Sequence, residues 1–508
     1  MAKLYIFAIG GTGARVVKAL TFLLASGVEI NADEVVPILI DPDSSNGDLS
    51  RTVDVMNLYN NIREKIKQTF TLNTPERKVN GFFEKPIRDI FPGFPFKYRL
   101  NLTPSVGLAG NTFGNYIDYN TIGGNNRKLV SLLFSGNHTI TNNKGSLEDQ
   151  DLFNLNTAVG VKGNPQIGSV ILNQFNTLSF NNDFAASFTN NDRIMFVSSI
   201  FGGTGAAGFP LLLKYLRNLN NPAIAGGVPN SALIASSKIA AITVLPYFNL
   251  KQGEIDGSTF IPKTKAALEY YKNNVGPSLE TVYYIGQGQG LYQNNPGDNQ
   301  QRNDAHFIEL ASALSIIDFM SIPNINFVLD GNDQRTTIYK EYGLSVDLLD
   351  GQSITFNELG AVTKSLIENP LCQYRLFLFY LQKIFEKIKI RQPWCQRGIL
   401  IDEDFKNSDF VNHIKSFNKN FSDWFTEMEK NKPAFMPFNS DAGEENVFML
   451  IKSIKGNSGY KRNFALFDDY LNAAERHTSR MPQEQKFIST FYLATKKITD
   501  KLLKTNKN

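Results

Sequence analysis

Cysteine is nearly absent from these 508 residues: Cys372 and Cys395 are the only two. Neither a disulfide scaffold nor a four-thiolate zinc site can be built from them. Histidine is almost as scarce, and His138, His306, His413 and His477 show no metal-ligand spacing among themselves. A dominant charge is missing too. Lys and Arg number 52 and Asp and Glu 48, a formal net charge of +4. That is too even to make nucleic acid or an anionic membrane the main partner. No apolar stretch approaches the roughly 18 uninterrupted residues of a membrane helix. The strongest, residues 307–320, carries Glu309 and Asp318 and has helical periodicity. The opening Lys3-Leu4-Tyr5-Ile6-Phe7-Ala8-Ile9 runs into glycines and lacks the parts of a secretory leader. The expectation is a cytoplasmic protein without membrane insertion or a nucleic-acid partner.

What the chain has is core material: 42% hydrophobic and 12% aromatic residues, enough for a folded protein of two to four domains at about 150 residues each. Residues 5–9 form a continuous apolar run, the kind buried on both faces of a parallel sheet. Glycines break it, and residues 14–25 then carry Val16, Val17, Leu20, Leu23 and Leu24 as a helical stripe. A second apolar strand, 35–40, ends at Asp41-Pro42-Asp43. Residues 47–190 are the least regular part, with a helix expected over 56–70 and insertions around it. Strand and helix alternate again over 193–197, 209–216, 239–245, 263–274, 281–285 and 303–320, the pattern of an open α/β sheet. Past residue 325 the periodicity is helical, over 357–389, 410–430, 445–454, 464–475 and 484–503. The expected division is an α/β domain at 1–325 and a helix-rich domain at 326–508.

Two strand–glycine–helix turns stand out. One is Ile9-Gly10-Gly11-Thr12-Gly13-Ala14-Arg15; the other is Ser199-Ile200-Phe201-Gly202-Gly203-Thr204-Gly205-Ala206. Glycine lets the backbone approach a phosphate and adopt positive φ, and the amides at a helix start point at the anion. One such turn is weak evidence, because any tight strand-to-helix turn needs glycine. Two GGTG turns at the carboxyl ends of buried strands are far more specific, and both face the edge where open sheets bind ligands. A dinucleotide fingerprint fails at the first turn, where Val16 stands in place of its third glycine. Asp41 at the end of the second strand is still of the type that holds a ribose, so an NAD-dependent enzyme is the minority reading. It leaves the second turn idle.

In order along the chain, these pieces resemble the tubulin/FtsZ superfamily. The segment Asp192 to Pro210, with Phe201-Gly202-Gly203-Thr204-Gly205-Ala206-Ala207-Gly208 inside it, looks very like the family's phosphate-wrapping signature loop. Gly10 to Arg15 is similar to its first phosphate loop, and Asp41-Pro42-Asp43-Ser44 to an acidic second loop near metal and phosphates. Ser105-Val106-Gly107-Leu108-Ala109-Gly110-Asn111 resembles the loop that senses the γ-phosphate. Leu245-Pro246-Tyr247-Phe248 resembles the turn leading to the ribose, and Asn303-Asp304 the start of the central helix that contacts guanine. The resemblance implies GTP or GDP with Mg²⁺, Asp43 at the metal, and a head-to-tail oligomer or filament of the chain with itself. In that family an acidic loop after the central helix completes the next subunit's site; Asp330 and Asp333 have its spacing, several residues late. Two departures stand out: Gly10 and Gly202 are 192 positions apart, longer than usual in the family, and Leu250 falls where a ribose-contacting glutamate is expected. The alternative is a non-polymerising nucleotide switch or scaffold, with a partner protein in a multiprotein bacterial system.

Other residues weigh less. Arg15 reads equally as a phosphate contact or a surface arginine, and His306 more as a buried or capping residue than as a base contact. Cys395 beside Trp394 reads as a core thiol, Phe377, Phe379, Tyr380 and Phe385 as core, and Lys496, Lys497, Lys501 and Lys504 as a solvated face.

Overall fold

Six strands form one fully parallel sheet: β1 (Lys3–Ile9), β2 (Glu34–Ile40), β3 (Arg193–Ser199), β4 (Lys238–Val244), β5 (Thr281–Ile285) and β6 (Ile338–Glu341), ordered β2-β1-β3-β4-β5-β6. This computed structural model describes residues 2–43, 46–67, 81–91, 93–100, 102, 112–134, 152–157, 161, 164–173, 180–247, 257–287, 302–330, 334–341, 353–385, 387, 392–439, 447, 449–452 and 464–504. The main helices are α1 (Gly10–Ala25), α2 (Gly47–Lys67), α3 (Pro165–Leu172), α4 (Gly203–Arg217), α5 (Gly257–Tyr270), α6 (Phe307–Ser321), α7 (Ala361–Tyr380), α8 (Asp409–Lys430), α9 (Phe464–Glu475) and α10 (Gln483–Lys504). The expected α/β class holds: a Rossmann-type parallel sheet followed by a helix-rich segment.

The two-residue period of the strands feeds two cores. Leu4, Ile6 and Ala8 of β1 join Met195, Val197, Ala240 and Ile242 on the face covered by α1, α2 and α6. Tyr5, Phe7 and Ile9 join Ile194, Phe196, Ile239 and Ala241 on the face covered by α4. With both faces dry, the strands read as unbroken apolar runs. Outside β2, residues 86–88 and 98–100 add a broken seventh lane: Val35 N donates to Pro86 O and Leu100 N to Leu39 O. From β1 the chain goes outward to β2 and later returns on the other side as β3. The topological switch point therefore lies between β1 and β3.

The sheet runs past residue 325, because β6 pairs with β5 in register Thr281↔Ile338. Its four residues alternate between half-buried and exposed, which is too short and polar a pattern to announce a strand. The helical segment shares its core with the sheet's helices. Along α8, Phe417, Phe421 and Trp424 set their rings 5.5, 5.4 and 5.1 Å from Phe22 of α1. Of the expected helix over 445–454, Val447, Met449 and Leu450 are in 3₁₀ conformation, and Ile451 instead forms an isolated antiparallel bridge to Phe438. Among the described residues no helix is long and apolar enough to cross a membrane.

Candidate functional site

Both glycine turns sit at the carboxyl ends of the strands that flank the switch point. Sequence periodicity starts the helices at residues 14 and 209, but α1 begins at Gly10 and α4 at Gly203. The GGTG amides are therefore first-turn amides, which have no acceptor inside their own helix. No side chain caps either helix, and neither first turn holds an acidic residue. Two positive helix ends thus lack the usual anionic partner. The turns also touch. A Cβ at Gly10, whose φ is +76°, would lie 3.8 Å from Thr204 Cβ and 3.9 Å from Gly205 N. Gly13 is required for a different reason: a Cβ there would be 2.7 Å from Ala8 C and 2.9 Å from Val197 O, so only hydrogen lets α1 seat on β1 and β3. Gly205 is likewise fitted against Ser199, whose carbonyl oxygen would lie 2.8 Å from a Cβ there. Gly11, Thr12 and Ala14 are buried, whereas Gly202, Thr204 and Ala206 are half-buried, so the second turn is the more open of the two.

Beside the first turn, the residues after β2 fold back on Asp41. This side chain is buried, taking Asp43 N at 3.0 Å and Asn46 Nδ2 at 2.9 Å. Burial pushes its carboxyl up to about 7. With one oxygen on each donor, Asp41 organises its own turn, which counts against the reading in which it holds an adenosine ribose. Asp43 is also largely buried, and its carbonyl accepts from Arg99 at 2.8 Å. Among the described residues no group of three or more His, Cys, Asp or Glu surrounds a metal position. A magnesium site needs fewer, one or two carboxylates with phosphate oxygens completing the shell.

Arg15 is not at the surface, and its guanidinium does not face the open edge. It is 2% exposed and donates to Glu309 Oε1 at 2.6 Å, Asp48 Oδ2 at 2.8 Å and Tyr247 Oη at 2.8 Å. Asp48 also takes Arg51 at 2.7 Å and both the backbone and side-chain N–H of Asn303, at 2.9 and 3.0 Å. Burial alone would raise the Asp48 carboxyl; Arg15, Asn303 and Arg51 outweigh it and hold it below the ordinary value. Burial raises Glu309, against the pull of Arg15 and Lys18. From α8, Glu427 accepts from Arg51 at 3.0 Å and from Ala305 N at 2.9 Å, while Asn431 donates to Ala305 O. Three cations and three carboxylates thus bind α1, α2, α6, α8 and the strap 303–305 into one buried network.

That network changes two expectations. Asn303 does not open the central helix, which starts at Phe307, and its amide nitrogen is bound to Asp48. His306 caps the helix: its Nδ1 accepts from Ile308 N at 3.1 Å, its ring lies 4.8 Å from Tyr247, and burial with nearby Arg15 pushes its pKa down to about 3. Asp48 and Glu427 were not singled out from the sequence, and Glu309 and Tyr247 were named without this role. The available signal was Glu309, a carboxylate in the first turn of a largely apolar helix, which required a buried cation. The Cys395 thiol is buried and pushed up to about 12, as an inert core thiol should be.

Asp330 lies at the opposite end of the sheet. α6 runs from the carboxyl edge, where Glu309 meets Arg15, to the amino edge, where Arg193 at the start of β3 donates to Phe319 O at 2.6 Å. Its 15 residues span about 22 Å at 1.5 Å each. The turn bearing Asp330 follows, and Arg335 ties it to Glu280 at 2.9 Å, just ahead of β5. Asp330 Oδ1 accepts from Gln334 N at 2.8 Å within that turn. Asp333, Ser44 and the whole expected γ-phosphate loop, with Gly107, Ala109, Gly110 and Asn111, lie outside the described residues.

No protein-family model matches the chain, and no curated protein matches it. Among solved structures it is similar to CetZ2 from Haloferax volcanii, seen as a GTPγS-bound protofilament, at 13% identity with a TM-score of 0.30. The match covers 65% of this chain and 61% of that one, a likeness too loose to equate residues between the two.

Proposed function

We propose that this chain binds a nucleoside di- or triphosphate at the carboxyl edge between β1 and β3, in the manner of the tubulin/FtsZ superfamily, with guanine the expected base. One observation carries this reading: the two GGTG turns meet at the switch point, where a Cβ at Gly10 would already touch Thr204. Their residues fit a polyphosphate, since Gly10–Gly13 and Gly203–Gly205 offer first-turn amides and Thr12 and Thr204 add hydroxyls. Asp43 is the residue that would hold Mg²⁺, which would supply positive charge against the phosphates. Arg15 acts one step back. By fixing Asp48, and through it Asn303, it holds the strap on the base side of the site.

Self-assembly head to tail is the second half of the proposal. Asp330 stands about a helix length from its own glycine turns, so it would reach phosphates only in another copy. Ile325, Val328 and Leu329 beside it are exposed apolar side chains suited to such a contact. The alternative, a switch or scaffold without hydrolysis, is favoured by the Asp330 carboxylate closing its own turn on Gln334. GTP turnover with Mg²⁺ over a protein-concentration series, with pelleting in parallel, separates them. Specific activity that rises with concentration and falls in both Thr204→Ala and Asp330→Ala supports a shared site. Binding weakened by Thr204→Ala without turnover or pellet supports the switch; absence of any nucleotide binding removes both.

A further inference from the structure

At the far end of the chain α9 and α10 pack as an antiparallel hairpin, and the outer seam between them is not filled. It forms a groove of about 370 Å³. Its floor is Ala473, Ala474 and Leu493, with Met481 at one end. Alanine is why the groove exists: larger side chains at those two positions would close the seam. Lys496, Lys497 and His477 stand exposed on the rim, with Asp500 the one acid among them. The rim belongs to a wider basic surface. Over residues 476–501 the exposed or half-exposed charges are Arg476, Arg480, Lys496, Lys497 and Lys501 against Glu484 and Asp500. That is five basic against two acidic, while Asp469 is an exposed acid earlier on α9.

The geometry points to a docking groove for an acidic amphipathic helix of a partner protein, with apolar side chains in the seam and carboxylates on the lysine rim. Recessed apolar floor with charged walls is the arrangement that receives a helix by its i, i+3, i+7 face. Two other anionic partners fit less well. The floor has no aromatic ring on which a base would stack. No large apolar side chain of α9 or α10 is strongly exposed, so nothing protrudes to enter a lipid surface. The inference is independent of the nucleotide site, which lies at the sheet's carboxyl edge.

The test uses the full chain and a labelled synthetic peptide of about 16 residues, some four helical turns, with Leu on one face and Glu flanking it. Fluorescence anisotropy should show binding at least about tenfold tighter than for a scrambled peptide of equal composition. Affinity should fall as salt rises from about 50 to about 300 mM. Lys496→Glu with Lys497→Glu, and separately Ala473→Phe, should each weaken it by about tenfold with the melting temperature unchanged. Equal binding of the scramble, or full binding by either variant, overturns the inference. So does displacement of the peptide by single-stranded DNA or phosphatidylserine vesicles.

Discussion

Replacing Arg15 with methionine isolates the role of the buried network. Methionine keeps the apolar stem and removes three donors, those to Glu309, Asp48 and Tyr247. Asp48 retains Arg51 and Asn303. Glu309 does not fare as well: its side chain is fully buried, and its Oε2 already has no hydrogen-bond partner among the described residues. Removing one partner of a buried pair in this way costs about 3–5 kcal/mol. Unfolding of a chain this long is not expected to be two-state. Hydrogen exchange of the α1 and α6 amides reads the local loss instead. Arg15→Met should lower their protection by that amount, and adding Glu309→Gln should recover about 2 kcal/mol relative to the sum of the single variants. The pH dependence has a definite sign. Burial raises Glu309 and Arg15 opposes it; without Arg15 the folded state takes up a proton more readily. The deficit of Arg15→Met should therefore shrink from about pH 8 to about pH 5. Unchanged protection together with weakened nucleotide binding would refute the network role and make Arg15 a phosphate ligand.

Two further outcomes follow from single residues. Gly13→Ala places a Cβ 2.7 Å from Ala8 C and 2.9 Å from Val197 O, backbone atoms of two core strands; it should lose soluble protein outright. Recovery of a normally melting Gly13→Ala would show that α1 can shift off β1. Asp41 gives a pH signature. Burial lifts its carboxyl from 3.8 to about 7, so the folded state holds a proton that the unfolded chain releases near its lower value. This contribution is complete below pH 3.8 and is lost as pH rises through about 7. Melting temperatures of the wild type and Asp41→Asn between those limits should diverge, the variant lacking this slope; parallel curves would mean that Asp41 is ionised throughout.

Most of the sheet was legible because its strands are dry on both faces. Residues 281–285 could be read to the residue, and the other long strands to within two at each end. β6 was not, since Ile338-Tyr339-Lys340-Glu341 lies at an edge and alternates with polar residues. The starts of α1 and α4 were misplaced for one reason: glycine is a poor helix former, and both GGTG turns nevertheless open the helix, where tertiary packing against Ala8, Val197 and Ser199 selects glycine by size. The glycine turns themselves announced the site, since the chemistry lies in the backbone and glycine is its visible mark. The charge network was invisible because its members come from residues 15, 18, 48, 51, 247, 303, 309 and 427, and no local pattern joins them.

The network has a cost that apolar side chains would avoid, because buried ion pairs seldom outdo a well-packed hydrophobic replacement. The rings of Phe417, Phe421 and Trp424 already hold α8 against Phe22. Aromatic packing of that kind tolerates sliding; charged hydrogen bonds do not. Glu427 must meet Arg51 at 3.0 Å and Ala305 N at 2.9 Å, while Asn431, one turn on, meets Ala305 O. Those contacts fix α8 in one register and pin the peptide of Ala305 from both sides. Residues 303–306 form an irregular strap between the described residue Arg302 and α6, so little of their own secondary structure holds them. Their position is set from outside, by Asp48 on α2 and by α8. The helical segment that reads in sequence as a separate helix-rich domain therefore sets the position of the strap ahead of α6.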